Sequence, residues 1–417
     1  MGRLGLVLAA CGLFWVAPAS AAPERPTLTF GPGHTLSFDG QYRLRAIADT
    51  GLDFVDGDGE MVDDGRQNIS HRARLGATWK SDQGVVVRFL LQDVRLWGEE
   101  ANTLNDFDAN GLDVRAAWVA LPLGDVGKLT LGRQFFSLDD QRIVGAVGWT
   151  QRARAFDGGV LQLDFAPVTA KVFGFQLVEG DPRGGDGTIA EPGADEVELV
   201  GAHVHAKLGD ALGISALGMT ELTDGDGRTT LGAHLSGKAA GLHYAGSFYH
   251  QMAEVAGESG SSNLIAARLG YTLDAAWKPS VTAWFEQLSG DGTPEGTFAT
   301  PYATNHKFYG EMDLFLNTVA HTGALGLTDI GGKLAAKPAD RLTTSVAVHL
   351  LGSVEPGPDD ESSFGTEIDV KAVIGLGRGV GLAVLYGIFL PGDLVEARLG
   401  EAGVAEHFGY LTLDAKF

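Results

Sequence analysis

Apolar and polar residues alternate with a period of two along most of the chain, which is typical of β-strands with two different faces. In the segment 36–47, Leu36 and Phe38 fall on one face, while Arg43 and Arg45 fall on the other. About eleven residues at a rise of ~3.3 Å, tilted by ~45°, cover about 25 Å of bilayer. The pattern predicts about eighteen strands, near residues 36–47, 69–80, 84–95, 111–121, 128–136, 154–165, 168–178, 196–208, 211–222, 228–238, 240–251, 262–274, 278–289, 326–337, 340–351, 364–375, 379–390 and 406–417.

The connections between these segments alternate between long and short. Tight turns such as Asp82-Gln83 and Ala166-Pro167 stand between long connections, and the 223–227 link is the one short connection on the long side. The long connections are 48–68, 96–110, 137–153, 179–195, 252–261, 290–325, 352–363 and 391–405. This alternation predicts an all-β, antiparallel transmembrane barrel of the bacterial outer membrane. An even strand number places both termini in the periplasm, and Phe417 is the kind of aromatic residue that often ends such barrels.

The first 21 residues predict a secretory signal. Arg3 is followed by a short apolar core, and Ala19-Ser20-Ala21 fits a small-x-small cleavage site. The mature chain would then be a single barrel domain over residues 22–417, without the one Cys of the sequence. The alternative is a lipoprotein signal ending at Cys11. Beyond residue 21, no charge-free apolar run reaches the 18 residues that a spanning helix requires.

Composition narrows the classes further. Of the 417 residues, 60 are Gly, roughly double ordinary usage, which suits a barrel wall. A formal net charge of −22 argues against a protein that coats nucleic acid, and a single Cys excludes a disulfide framework or a Cys-based zinc site. The competing fold, a secreted soluble solenoid or sandwich, lacks support because the chain has no short fixed repeat.

Arginine is unevenly distributed, since twelve of the 20 Arg lie within residues 43–154. Because an Arg that faces lipid at mid-bilayer costs about 2–4 kcal/mol, those on the non-lipid phase should face the lumen. These are Arg43, Arg45, Arg72, Arg74, Arg88 and Arg115. Arg133 shares its parity with Leu129 and Leu131 and would need a bulge. A row of guanidinium groups would attract carboxylated sugars; the alternative is that each Arg only neutralises lumenal acids such as Asp113.

Metal and enzyme signatures are poor. Residues 53–64 form an acidic outer loop, and Asp56-x-Asp58-x-Glu60 resembles the start of a calcium loop. Met61 stands where the turn Gly should be, so the EF-hand match fails, and no cofactor is predicted, with Ca²⁺ at this loop as the lesser alternative. His203 and His205 share a strand face, which favours a lumenal polar pair over a metal site. Ser247 and His243 lie two pleats apart, and the sequence contains no hydrolase or phosphate-binding motif, so an enzyme is not predicted.

Four stretches resemble the alginate-export family of outer-membrane barrels. They are Leu91–Gly98, Leu131–Gly158, Thr304–Asp313 and Gly326–Asp329. The resemblance, which spans about residues 38–417, implies an eighteen-stranded channel with an Arg-rich constriction that passes a polyuronate outward. It also implies that the 137–153 connection folds inward. The family's typical exporter has a long periplasmic turn between strands 16 and 17, whereas here that turn covers only about Gly375 to Gly379.

The family-like positions add Arg133, Arg142, Arg152 and Arg154 to the candidate pore-lining residues. The complete set is Arg43, Arg45, Arg72, Arg74, Arg88, Arg115, Arg133, Arg142, Arg152 and Arg154. The sequence thus predicts an outer-membrane channel that passes anionic saccharides or other organic anions by passive diffusion. The alternatives are a general or uptake porin for small solutes and a non-conducting surface or adhesion protein that uses outer loops such as 290–325. The predicted partners are membrane lipid and lipopolysaccharide, the barrel assembly machinery, the saccharide and periplasmic export partners, but no nucleic acid.

Overall fold

Antiparallel strands account for nearly all of the regular structure in the computed structural model of the chain. The structure describes residues 25–51, 65, 67–99, 112–178, 196–223, 226–399 and 403–417, so the predicted signal segment and the acidic segment 53–64 lie outside the described residues. The strands are β1 (Thr27–Phe30), β2 (His34–Asp49), β3 (Gln67–Lys80), β4 (Val86–Leu96), β5 (Leu112–Pro122), β6 (Gly127–Gln134), β7 (Phe156–Phe165), β8 (Val168–Val178), β9 (Val197–Leu208), β10 (Leu212–Leu222), β11 (Gly227–Ala239), β12 (Leu242–Val255), β13 (Glu258–Thr272), β14 (Ser280–Leu288), β15 (Leu327–Ala339), β16 (Leu342–Gly352), β17 (Ser363–Gly377), β18 (Val380–Pro391) and β19 (Glu406–Lys416).

Helical structure is confined to the connections. A 3₁₀ turn covers Asn305–Lys307, α1 covers Thr318–Thr322 and α2 covers Asp393–Leu399. In the part of the chain that the structure describes, no helix is long and apolar enough to cross a membrane.

The strands β2 to β19 close into a ring of eighteen, as the sequence predicts. Each strand pairs with the next in antiparallel fashion, and β19 returns to β2 with Leu413 opposite Leu44. The short strand β1 pairs with β2 at residues 34–37, just beyond the end of β19. The first and last barrel strands therefore begin and end at the same end of the barrel, which also carries the short turns. We call this the turn end and the opposite one the loop end.

The predicted two-faced pattern is present in the strands. On β16, Val346 and Leu350 are 42% and 53% exposed, while Ala347 and His349 between them are buried. An exposed apolar row with a buried alternate row is the pattern of a wall with lipid outside and packed groups inside. The strand bounds agree with the predicted ones to within a few residues.

One predicted long connection is wrong. Residues 252–261 were expected to form a long outer loop, but β12 and β13 run through most of them and meet at Ala256–Gly257. Both turn residues have positive φ, 53° and 81°, as a two-residue type I′ turn requires. The prediction failed because Ala-Gly lacks the Asn-Gly or Asp-Gly signature of such turns. The turn between β17 and β18 is Arg378–Gly379 (φ 49° and 79°), so the expected short turn is confirmed there.

The seam where the ring closes is tightly built. The backbone groups of Gly40 and Phe417 exchange two hydrogen bonds, of 3.1 and 3.2 Å. A Cβ atom on residue 40 would overlap the ring of Phe417. Gly40 is therefore the residue that lets the last side chain of the chain lie against the first barrel strand.

Two outer connections fold into the lumen and form its core with the inner wall. We call residues 135–155, between β6 and β7, L3, and residues 289–326, between β14 and β15, L7. The inward folding of L3 is confirmed, but L7 was expected outside. Its apolar side chains are buried, among them Phe298, Phe308 and Phe315 at 0%, 4% and 1% exposure. A loop of the outer surface would not carry so many large apolar residues, and that composition was the available signal.

Candidate pore constriction

A wall of Arg side chains from β2 and β3 holds the backbone of L3. Arg43 Nη1 donates to the carbonyls of Gly148 and Trp149 at 2.9 and 3.2 Å, and Arg45 Nη1 donates to Trp149 O at 2.9 Å. Arg72 Nη1 continues the series to the carbonyls at positions 150 and 151, at 3.0 and 3.2 Å. The guanidinium groups thus bind successive peptide units of L3. Sequence phase predicted the face on which they lie, but not this backbone partner.

The neighbouring strands extend the same contact. Gln92 Nε2 on β4 donates to Arg152 O at 3.0 Å, and Arg115 on β5 donates to Arg154 O. Arg43, Arg45, Arg72 and Arg115 are 9%, 3%, 1% and 2% exposed, so L3 covers most of their surface. We call these four residues, together with Arg74 and Arg88, the arginine wall.

Trp149 joins L3 to both the arginine wall and L7. The Arg45 guanidinium carbon lies 3.6 Å from the Trp149 ring centroid, and the His306 imidazole stacks on the ring at a centroid distance of 3.9 Å and an angle of 7°. The indole Nε1 donates to Asp313 Oδ2 at 3.1 Å. A guanidinium facing an indole is a favourable cation–π geometry, and desolvation strengthens it.

His306 is the centre of a charged network inside L7. Its Nδ1 lies 2.6 Å from Asp313 Oδ1, and its Nε2 lies 3.4 Å from Glu311 Oε2. Burial opposes the charged imidazole, but Asp313 and Glu311 outweigh it and raise the pKa of His306 above its usual value. Lys371 of β17 binds Glu311 at 2.6 Å. Burial would raise the pKa of Glu311, but Lys371 and His306 outweigh this effect and hold the pKa well below its usual value.

Arg142 ties L3 to the opposite part of the lumen. Its two terminal nitrogens bind both carboxylate oxygens of Glu286 on β14, at 2.6 and 2.9 Å, and its guanidinium lies 3.9 Å from the ring centroid of Phe308. Burial alone would lower the pKa of Arg142, but Glu286 and Asp140 raise it well above its usual value. This residue is 3% exposed, so its charge serves a fixed ion pair.

L3 and L7 also bind each other directly, through backbone and side-chain donors to backbone carbonyls. Gly145 N donates to Tyr302 O at 2.7 Å, and Lys307 Nζ donates to Asp140 O at 2.8 Å. Arg154 donates to the carbonyls of Pro301 and Ala303 at 2.8 and 3.2 Å. The two loops therefore form one interlocked insert in the lumen.

The other predicted pore residues have different surroundings. Arg74 is half-buried and donates to Gln92, Arg88 forms an ion pair with Asp39, and Arg152 is exposed. Arg133 lies apart from the L3 contacts. It pairs with Asp157 at 2.5 Å and lies 3.9 Å from Asp113. Its neighbour Gln134 is buried on the inner face of β6, so Arg133 lies on the opposite face of the strand.

A second sector of the inner wall is acidic. Glu286, Asp329, Glu367 and Asp369 on β14, β15 and β17 are at most 3% exposed. Asp329 accepts from Trp284 Nε1 at 3.0 Å and lies 2.9 Å from His349 Nδ1. Glu367 accepts from the backbone N–H of Met312 in L7 at 3.0 Å. Glu367 thus anchors L7 through a backbone N–H, while Glu286 anchors L3 through Arg142.

The His and Ser residues singled out in the sequence are wall residues. His203 Nε2 lies 3.0 Å from Asp139 Oδ1 of L3, and Ser215 donates to the same oxygen at 2.6 Å. Ser247 contacts His234 at 2.9 Å, not His243. Within the described ranges, no group of three or more His, Cys, Asp or Glu could hold a metal ion.

Comparison with known proteins gives one family and a clear structural class. A family model described as "Alginate export" matches residues 35–352. No curated protein sequence matches the chain. The fold is similar to Acinetobacter baumannii OccAB1 (TM-score 0.62, 14% identity, covering 92% of this chain and 96% of that one). It is also similar to Pseudomonas aeruginosa OccD3 (OpdP) (0.62, 12%, covering 96% and 95%) and to P. aeruginosa OccK2 (OpdF) in complex with glucuronate (0.60, 12%, covering 92% and 96%).

Proposed function

The chain belongs to the alginate export family and is a bacterial outer-membrane channel rather than an enzyme, and from this premise we propose that it passes anionic saccharides by passive diffusion. Alginate-like polyuronates and single-ring organic acids both carry the carboxylate that the proposal requires. The field at the constriction, produced by the arginine wall, would select them.

The arginine wall carries this proposal because its contacts leave much of its charge uncompensated. Carbonyl and amide oxygens have no net charge, so Arg45, Arg72 and Arg74 keep a full positive charge while they bind Trp149 O, Thr150 O and Gln92. Arg43 and Arg88 are the wall members with a carboxylate at ion-pair distance in the described chain. A low local dielectric strengthens the remaining field.

Carboxylated sugars suit this charge pattern chemically. Guanidinium groups bind carboxylates in a bidentate geometry and stay charged at every relevant pH. The solved OccK2 barrel, which has a similar fold, is in complex with glucuronate. That complex supports the idea that a barrel of this shape can hold a sugar acid.

The interlocked loops favour small organic anions as the second candidate cargo. L3 is tied across the lumen by the Arg142–Glu286 pair and joined to L7 at Gly145 and Tyr302. A polymer would need this insert to move, whereas a single ring needs less room. The adhesion alternative loses support because residues 297–300 and 303–306 of L7 are buried.

We further propose that the turn end faces the periplasm, as in other barrels with short inner turns. Lipid and lipopolysaccharide would surround the exposed apolar rows, the barrel assembly machinery would insert the chain, and periplasmic export partners would approach the turn end. No cofactor and no nucleic acid enter the proposal.

Reversal potentials in planar bilayers under a KCl gradient test the function. We expect an anion-selective channel. Replacing Arg74 and Arg152 together by Gln should lower the anion-to-cation permeability ratio about threefold, equivalent to ~0.6 kcal/mol at the constriction. The matched control is Arg341→Gln with Arg378→Gln, which removes the same charge at the short turns. Cation selectivity in the unmodified channel, or equal effects of the two double variants, would overturn the proposal.

A further inference from the structure

A basic cavity lies in the lumen at the turn end, on the inner faces of β2 to β6. Its volume is about 480 Å³. Cavities that bind small organic ligands measure about 300–1,000 Å³. The residues that matter for its chemistry are Arg25, Ser37, Thr78, Lys80, Trp118 and Lys128. None of these six contributes to the L3 or L7 contacts described above.

The charge of this cavity is one-sided. Arg25, Lys80 and Lys128 are exposed, and its lining contains no carboxylate. No ion pair joins these three cations to an acid in the part of the chain that is described. Two acids of the inner wall towards the turn end are engaged elsewhere: Asp39 binds Arg88, and Asp164 accepts from Gln162 and Thr169.

The other lining groups match a sugar rather than a bare inorganic ion. Trp118 presents an indole, whose flat apolar face can pack on the C–H face of a pyranose ring. Ser37 and Thr78 bring hydroxyl groups, and Thr78 Oγ1 is already positioned by a 3.0 Å hydrogen bond from Arg88 Nη1. Three cations, one aromatic face and two hydroxyls together provide the charged, apolar and hydrogen-bonding groups that a sugar acid would require.

We propose that this cavity is a capture site that binds a uronic-acid unit before it reaches the constriction. The inference rests on the proposed function for the identity of the cargo, but it uses a different set of residues. Lysine ammonium groups act here as point charges for the carboxylate, and Trp118 holds the ring. If the turn end faces the periplasm, the site is the first one that exported cargo meets.

Calorimetric titration of the detergent-solubilised full barrel with a uronic-acid trisaccharide tests the site. We expect Lys80→Gln with Lys128→Gln to weaken binding about tenfold, because two ion pairs are lost. The control, Lys207→Gln with Lys238→Gln, removes two exposed lysines from the same end of β9 and β11 and should leave affinity unchanged. Heat-modifiable mobility on gels confirms that each variant is folded.

Trp118→Leu separates a saccharide site from a general anion site. The substitution should weaken binding of the trisaccharide but leave competition by inorganic sulfate unchanged. Equal weakening of trisaccharide and sulfate binding, or no weakening of either, overturns the saccharide assignment. Unchanged trisaccharide affinity in the Lys80/Lys128 variant, or no binding by the unmodified barrel, overturns the capture site. The bilayer measurement remains independent, since a channel without anion selectivity would overturn the proposed function even if the cavity binds the sugar.

Discussion

A single arginine in this lumen can both anchor a loop and contribute positive potential. Arg72, at 1% exposure, satisfies two peptide carbonyls of L3 and also binds Gln41 Oε1 at 3.0 Å. The same guanidinium contributes positive potential, because its partners are uncharged. Sequence phase could show that Arg72 avoids lipid, but the choice between pore lining and loop anchoring depended on where L3 lies. No local pattern encodes that.

Removing the donors of Arg72 should release L3 without opening the barrel. In Arg72→Met, each buried carbonyl left unpaired costs about 1–3 kcal/mol, while the strand ladders are unaffected. We expect faster proteolysis within residues 135–155 and unchanged heat-modifiable mobility. Arg88→Met is the control, since Arg88 binds Asp39 and no group of L3. Equal cleavage of the two variants would contradict the anchoring role of Arg72.

The charged network around His306 should make the insert formed by L3 and L7 sensitive to pH. Because its folded pKa is raised, protonated His306 stabilises the fold fully below about pH 6.5, and this contribution is lost as the pH rises through the raised value. Glu311 has a lowered pKa, so its contribution is present above about pH 4.3 and is lost on acidification through the lowered value. We expect current fluctuations of single channels to increase as the pH rises through the raised pKa of His306.

His306→Gln should abolish this increase in current fluctuations with rising pH. The control is His407→Gln, because His407 is exposed and hydrogen-bonded to Tyr386. The increase in current fluctuations should persist in this control. An unaltered increase in current fluctuations in His306→Gln would show that another group titrates.

Among the elements, the strands were predictable and the inward loops only partly so. Period-two alternation fixed all eighteen barrel strands because lipid and lumen impose opposite chemistry on neighbouring residues. The hairpin at Ala256–Gly257 was missed because an apolar residue at positive φ gives no sequence signal. The inward path of L3 came from the family resemblance, whereas Phe298, Phe308 and Phe315 could have indicated the same for L7.

A reversible cross-link between L3 and L7 tests whether they must separate. A Cβ on Gly145 would overlap the Thr304 hydroxyl, so the side chains of Gly145→Cys and Thr304→Cys are close enough to form a disulfide on oxidation. We expect the oxidised channel to keep its conductance for small ions but to lose passage of a uronic-acid oligomer, with recovery on reduction. Each single-Cys variant serves as the control, and unimpeded oligomer passage in the oxidised double variant would show that the insert need not open.

Across the whole molecule, charge is divided by location. The net charge of −22 would suggest repulsion of anions, yet the arginine wall and the basic cavity at the turn end lie along the lumen. The buried acids have partners: Glu286 on β14 pairs with Arg142 of L3, Asp329 on β15 with His349, and Glu367 on β17 with a backbone N–H of L7. Composition alone could not predict this, because transport depends on the local field at each depth.

Closure of the ring should depend on Gly40. In Gly40→Val, the new side chain overlaps the Phe417 ring, and overpacking of this kind costs about 1–3 kcal/mol. We expect less folded, heat-modifiable barrel in membranes. Gly246→Val is the control, because the nearest side-chain atom to a Cβ there is Leu235 Cγ at 3.6 Å, an ordinary contact. Equal yields of the two variants would remove Gly40 from the closure argument.

The position of Trp149 between a guanidinium and an imidazole has an optical consequence. Protonated imidazole quenches indole emission at stacking distance, and here the two rings are 3.9 Å apart. Any separation of L3 from L7 removes the quencher and brings water to the indole, which brightens and red-shifts its emission. The native chain therefore contains its own fluorescent reporter of loop movement, readable in stopped-flow experiments without an attached dye.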